Sequence, residues 1–185
     1  MKRIFTLVMF AVSISLSTMA AIKIQSDDVS SDGTRIVIAS FFNIYSETLS
    51  GGALSLHATE FNVNNERARF YSLNFMLNDG VFEIIKGSKL LIKLENGEII
   101  ELSAAGDVLK DYDMLRTGLV YPTYLISKDD LQKISITPVV KIRIETAIGT
   151  IDHDIKKNKF SKGIKESLVL IDNQLQTVKD IYSDF

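Results

Sequence analysis

Only two histidines, His57 and His153, are available for acid–base or metal chemistry, and the chain contains no cysteine. A Ser-His-Asp triad or a histidine-based zinc site must use one of them. His153 lies between Asp152 and Asp154, a pattern that suggests a metal site. Alternate residues of an extended segment point to opposite sides, so both carboxylates would face away from the imidazole. We therefore expect His153 on a solvated strand or turn. We expect His57 at the surface, because it faces away from Leu56.

No recognised catalytic or nucleotide-binding motif occurs in the chain. The nucleophile elbow, the zinc-protease motif, the dinucleotide fingerprint and the phosphate loop are all missing. We therefore expect no metal and no cofactor. Asp111 and Asp113 flank Tyr112 in an irregular stretch, residues 103–118, and a glycosidase needs two neighbouring carboxylates. A hydrolase site in this loop is one hypothesis, but a solvated loop is favoured.

Three tyrosines surround Pro122 and are weak candidates for binding. Tyr112, Tyr121 and Tyr124 could anchor a partner or stack on a sugar if they lie on loops. Asp111 and Asp113 are further weak candidates in the same region. The alternative, which is favoured, is that the tyrosines are strand or core residues, because aromatic side chains prefer strands. The absence of tryptophan weakens the case for sugar binding.

The first twenty residues have the three parts of a secretory signal peptide. Lys2 and Arg3 precede an apolar run over residues 4–16, and small residues follow up to Ala21. The apolar run is shorter than the ~20 residues that a membrane-spanning helix needs. We therefore predict cleavage after Ala20 rather than an uncleaved anchor. The mature protein is expected to be periplasmic or secreted, with no stable membrane anchor.

Composition limits the partners and the class of protein. The chain has 185 residues, of which 46% are hydrophobic and 24% charged, which excludes a disordered chain. Its net charge is −2, and loss of Lys2 and Arg3 makes it −4. A mildly acidic domain has no electrostatic attraction for phosphate backbones, so nucleic acid is not an expected partner. An unknown protein or small ligand is expected instead. Without cysteine, apolar packing alone must stabilise the fold.

The pattern after the signal peptide predicts a leader segment, residues 21–33, with a short strand at most, and one β-rich domain, residues 34–185. Residues 35–42 are apolar on both faces, which predicts a strand buried on both sides. Phe61 and Val63 have the opposite parity to Leu54 and Leu56, which predicts a bulge near residues 59–60.

A hairpin is predicted over residues 90–102. Alternating apolar residues flank Asn96-Gly97 there, and this dipeptide favours a type I′ turn.

Two helices are predicted. Ser127 and Asp130 form a capping box before Leu131 and Ile134. Near the end of the chain, apolar residues recur at three- and four-residue steps and form one stripe: Phe160, Ile164, Leu168, Ile171, Leu175, Val178 and Tyr182.

Asn158 or Ser161 could cap this last helix, and Gly163 suggests a later start. Packing of the stripe on a sheet is favoured over a homodimer through it. The fold class is α+β, mostly antiparallel β: a sandwich or partly open barrel with the C-terminal helix packed on it.

The turn at residues 32–35, the hairpin at residues 89–98 and the strand at residues 140–146 together resemble those of uncharacterised exported proteins of Bacteroides-like bacteria. The resemblance spans residues 32–155 and implies no activity and no site residues. The order of strands followed by a terminal helix also resembles a pleckstrin-homology barrel, and that likeness implies a fold rather than a function.

Three functional hypotheses follow. The leading one is an exported, non-catalytic domain that binds a protein or another ligand. The first alternative is a hydrolase with a carboxylate-based site in the loop at residues 103–118. The second is a structural or assembly protein that dimerises through its C-terminal helix.

Overall fold

A computed structural model of the chain describes residues 21–46, 51–63, 66–78, 83–108, 119–156 and 158–177. Ten strands and two helices lie in these ranges. In chain order they are β1 (Ile24–Val29), β2 (Arg35–Ala39), β3 (Phe42–Ser46), β4 (Gly51–Val63), β5 (Glu66–Leu77), β6 (Lys89–Leu94), β7 (Ile99–Ser103), β8 (Thr123–Ile126), α1 (Lys128–Ile136), β9 (Val139–Thr146), β10 (Gly149–Asp154) and α2 (Lys159–Gln176).

The strands form two antiparallel sheets. The larger sheet has the order β1-β2-β4-β5-β8, with β3 paired to β4, and the smaller has the order β10-β9-β6-β7. Neither sheet closes into a barrel. The α+β class with a C-terminal helix is confirmed. Part of the leader segment is the strand β1, which forms an edge of the larger sheet.

The predicted strand at residues 35–42 is two strands, β2 and β3, which share β4 as a partner. β2 pairs with the second half of β4 and β3 with the first half. The buried hydroxyl of Ser55 donates to the carbonyl of Ala39 at 2.6 Å, next to the break between β2 and β3. Tyr45 of β3 lies over Gly52, where an added Cβ would come within 2.2 Å of the ring. Gly52 therefore makes room for the Tyr45 ring.

The prediction of a bulge near residues 59–60 is wrong. β4 and β5 pair without a register shift from Gly52 to Val63. Phe61 therefore remains on the face opposite to Leu54 and Leu56. It stacks there on Phe70, with ring centroids 5.0 Å apart. A contact between two aromatic rings on the outer face replaces the core contact that the bulge would have restored.

The predicted hairpin is confirmed, but its predicted turn type is wrong. β6 and β7 pair in continuous register, from Lys89 opposite Ser103 to Lys93 opposite Ile99. Gly97 has φ 90°, whereas Asn96 is not in the positive-φ region that a type I′ turn requires of both central residues. The amide of Leu94 donates to the carbonyl of Glu98 at 2.9 Å, and the amide of Gly97 donates to the carbonyl of Leu94 at 3.0 Å. The connection is a three-residue loop with glycine at its left-handed position.

The C-terminal helix packs on the larger sheet, as predicted. The first five residues of its apolar stripe, Phe160 to Leu175, are buried. Val178 and Tyr182 lie outside the described residues. A homodimer through this stripe would have to replace contacts that the chain already makes with its own sheet.

Gly163 does not delay the start of α2, which begins at Lys159. A Cβ on Gly163 would come within 2.1 Å of the Phe42 ring. The glycine therefore lets the ring of a β3 residue lie against the helix backbone. This close packing outweighs the lower helix propensity of glycine.

The two helix starts differ. At α1 the predicted cap is confirmed, because the hydroxyl of Ser127 accepts from the amide of Asp130 at 3.0 Å. At α2, Asn158 occupies the cap position in the left-handed region and makes no side-chain cap hydrogen bond. Ser161 accepts from the amide of Val139 and donates to the carbonyl of Thr137, both at 3.0 Å. It therefore ties α2 to the start of β9 instead of capping the helix.

The end of α2 is tied to the first two strands by a buried ion pair. The Arg35 guanidinium on β2 binds Asp27 on β1 through two hydrogen bonds of 2.8 and 2.9 Å. It also donates to the backbone carbonyls of Gln174 and Thr177 at 2.9 and 2.8 Å. A cation at the C-terminal end of a helix is favourable because the helix dipole is negative there.

Candidate functional site

The two faces of the larger sheet have very different surroundings. Residues on the inner face contact α2 and the smaller sheet: the Phe75 and Phe160 rings lie 6.4 Å apart, and the Tyr45 and His153 rings are stacked at 3.8 Å. The side chains that alternate with them point the other way. We call this second side the outer face. Its residues in β2, β4, β5 and β8 are Ile36, Ile38, Ala53, Ser55, His57, Thr59, Phe61, Val63, Ala68, Phe70, Ser72, Asn74, Met76, Thr123 and Leu125.

None of these fifteen outer-face side chains is an aspartate, glutamate, lysine or arginine. Among the described residues of this face, acidic side chains occur at the rim, with Asp28 on β1 and Glu66 at the start of β5. Four large apolar side chains on this face are well exposed: Ile36 at 39%, Val63 at 47%, Phe70 at 57% and Leu125 at 57%, whereas Ala53 and Ser55 are buried. Cores of protein interfaces are depleted in charge in the same way, and exposed apolar groups in one patch are typical of interaction sites.

A row of polar but uncharged groups crosses the middle of the outer face. The amide nitrogen of Asn74 donates to the Ser72 hydroxyl at 3.0 Å. The Thr123 hydroxyl donates to the Asn74 side-chain oxygen at 2.7 Å. These side chains therefore satisfy one another without an ionised group.

His57 lies in the centre of this face and is half-buried, so the expectation of a surface histidine is only partly met. Burial lowers its pKa from 6.5 to about 4. The imidazole is therefore neutral at pH 7. Its direct neighbours across the strands are Ile38 and Ser72, and neither is a carboxylate. The described strands therefore place a serine beside this histidine without an adjoining acid that would complete a triad.

The outer side of the smaller sheet provides the contrast. Its outward side chains include Lys89, Lys93, Glu101, Lys141, Arg143, Glu145 and Asp152. Many are paired: Arg143 meets Asp152 at 2.6 Å, and Lys89 meets Glu101 at 2.8 Å. These charges give the smaller sheet an ordinary solvated surface. The lack of charge on the larger sheet is therefore a property of that one face.

His153 is not solvated, so that expectation is wrong. It is buried and stacks on Tyr45, with 14° between the ring planes. The predicted alternation is correct, because Asp152 and Asp154 point outward. Hydrogen bonds from Arg143 and Lys141 hold the pKa of Asp152 well below its usual range. Among the described residues, no cluster of three or more histidine or acidic side chains could hold a metal ion.

Of the five weak candidates from the sequence, Tyr121 and Tyr124 lie in the described residues. Asp111, Tyr112 and Asp113 lie outside the described ranges. Tyr121 is 51% exposed, whereas Tyr124 lies in the core against Phe75. Burial and then the charge of Glu145 raise the pKa of Tyr124. A side chain in this position can contact a partner only if the core opens.

Sequence reasoning missed the outer face, although a signal was present. No charged residue occurs in residues 36–46, 70–78 or 119–127. Because successive strand residues alternate between faces, an uncharged run must leave both faces of its strand without charge. The apolar pattern on both sides of residues 35–42 predicts burial on both sides, but Ile36 on the outer face is 39% exposed.

Comparisons of the chain with protein-family models, with curated proteins and with solved structures found no match. In the part of the chain that the structure describes, no helix has the length and apolar character needed to cross a bilayer.

Proposed function

We propose that this protein is an exported, non-catalytic binding module that holds a partner protein on the outer face of its larger sheet. The observation that carries the proposal is the uncharged surface centred on His57 and Ser72. Exposed apolar side chains, among them Phe70 and Leu125, lie around this centre. Water solvates such a surface poorly, so covering it with a partner is favourable.

The sequence of β2 supports the same conclusion. Its residues are apolar on both sides, as in a strand that is covered on both sides. The inner side of β2 carries Val37 and Ala39, which are buried, whereas Ile36 on the outer side is 39% exposed. A partner on the outer face would supply the missing cover.

Export is the second part of the proposal, and its support is the sequence of residues 1–21. The strand β1 begins at Ile24, so the predicted cut after Ala20 leaves the whole of β1 in the mature chain.

Site-specific photo-crosslinking tests the binding surface in the cells that make the protein. A photoreactive phenylalanine analogue is introduced at Phe70, at Leu125 or, as a matched control, at Ile99. Ile99 is 58% exposed on the outer side of the smaller sheet, so its accessibility equals that of the two test positions. We expect a discrete adduct from positions 70 and 125 and none from position 99. Equal labelling at all three positions, or no adduct at 70 and 125, would contradict the proposal.

A further inference from the structure

The chemistry of the outer face restricts what can cover it. An uncharged surface gains nothing from a charged partner, because that partner would lose its hydration without a compensating ion pair. The partner must therefore present an uncharged, partly apolar surface of similar shape. This chain presents one such sheet face itself, whereas the outer side of its smaller sheet is charged and unsuitable.

The arrangement of side chains across the face is self-complementary. Ile38 pairs with His57, His57 with Ser72, and Ser72 with Leu125, which gives one row across four strands. The row is apolar at both ends and polar in the middle. A two-fold axis along the strands, between His57 and Ser72, brings Ile38 of one copy over Leu125 of the other. The same rotation puts polar centre against polar centre, as an isologous interface requires.

The size of the face is sufficient for a weak but specific dimer. The four strands of the face, β2, β4, β5 and β8, contain 5, 13, 12 and 4 residues. At ~3.3 Å per residue and ~4.8 Å between strands, they cover roughly 540 Å². Two copies would bury on the order of 1,100 Å², which is in the range of weak or transient protein interfaces. The net charge of −4 on each mature chain opposes association only slightly at physiological ionic strength, because salt screens charges that are more than ~8 Å apart.

We propose that the partner on the outer face is a second copy of this chain, packed sheet against sheet. This inference rests on the proposed function and names the occupant of the same surface. It also moves the homodimer contact from the C-terminal helix, whose apolar stripe is buried from Phe160 to Leu175, to the larger sheet.

Sedimentation of the mature chain, residues 21–185, tests the inference directly. We expect a reversible monomer–dimer equilibrium in the micromolar range. Leu125→Asp should weaken dimerisation at least tenfold, because it buries an unpaired charge in each half of the interface. Ile99→Asp, at equal exposure on the smaller sheet, should leave the equilibrium unchanged. A wild-type chain that stays monomeric up to millimolar concentration overturns the inference, as does an unchanged dimer in Leu125→Asp.

Covalent trapping gives a second, independent readout. Because the chain has no native cysteine, a thiol-specific crosslinker can react only at the introduced cysteine. Ser72 adjoins the proposed axis, so Ser72→Cys treated with a short bis-maleimide should give a covalent dimer. Ser103→Cys, on the outer side of the smaller sheet, should not. Equal trapping at both positions, or none at Ser72→Cys, counts against the face-to-face arrangement.

The adduct masses in the photo-crosslinking experiment separate the two proposals. An adduct from position 70 with twice the mass of the mature chain supports both. An adduct of another mass supports the proposed function and overturns the inference about a second copy. The absence of any adduct overturns both.

Discussion

Gly163 lies where the Phe42 ring of β3 packs against the backbone of α2, and its role is steric. Gly163→Ala would gain about 1 kcal/mol of helix propensity in isolation. Because the added Cβ would overlap the Phe42 ring, we expect a net loss of ~1–3 kcal/mol in the free energy of unfolding, measured by urea denaturation.

Gly106→Ala is the control, since its Cβ would enter open space. In a Phe42→Leu background, Gly163→Ala should become neutral or stabilising. An equal loss in both backgrounds would show that the Phe42 ring is not the cause.

His57 links burial on the outer face to pH. Its pKa is about 4 when folded and near 6.5 when unfolded, so between these values the unfolded chain binds more protons. Stability should therefore fall as pH decreases from about 6.5 to 4, by no more than ~2 kcal/mol after allowance for partial exposure. Urea denaturation at several pH values should show a weaker slope in His57→Gln. An identical slope in the two proteins would contradict this assignment.

The contact between β1 and the end of α2 depends on a buried ion pair. Arg35→Met leaves the Asp27 carboxylate without its guanidinium partner, and removal of one member of a buried pair costs about 3–5 kcal/mol. Equilibrium unfolding should show this loss. Arg35→Met combined with Asp27→Leu should recover part of it, because the double variant leaves no unpaired charge. A cost below ~1 kcal/mol for the single variant would mean that the ion pair does not stabilise the contact.

Elements whose periodicity is strong could be predicted from the sequence, and contacts between distant elements could not. The hairpin of β6 and β7 and the apolar stripe of α2 follow from local alternation and helical spacing. The turn at Gly97 was assigned to the wrong type because Asn-Gly fits more than one loop. Burial of His153 depends on Tyr45, which is more than one hundred residues away, and no local pattern contains that contact.

The outer face falls between these two cases. Its residues were visible as uncharged runs, but only the pairing of β2, β4, β5 and β8 shows that they form one surface. The bulge expected near Glu60 would have moved Phe61 into the core, and the continuous register leaves it outside. The pairing register of the strands therefore determines which residues of the separate uncharged runs lie together on one face.

If the whole molecule is exported and its signal peptide is cleaved, the mature protein has a defined N-terminus. Protein recovered outside the cytoplasm should have the intact mass of a chain that begins at Ala21. Replacement of Lys2 and Arg3 by glutamate should keep the protein in the cytoplasm with Met1 present, because the positive end orients a signal peptide. Exported material that retains Met1 would contradict cleavage.

The central claim is that the outer face of the larger sheet is covered when the protein is in its native setting. Hydroxyl-radical labelling of the protein in intact cells, compared with dilute purified protein, measures this directly at chosen side chains. The account predicts that Ile36, Phe70 and Leu125 lose reactivity in cells while Ile99 and Ile148, which are exposed elsewhere, keep theirs. Equal reactivity of all five side chains in cells and in dilute solution would contradict it.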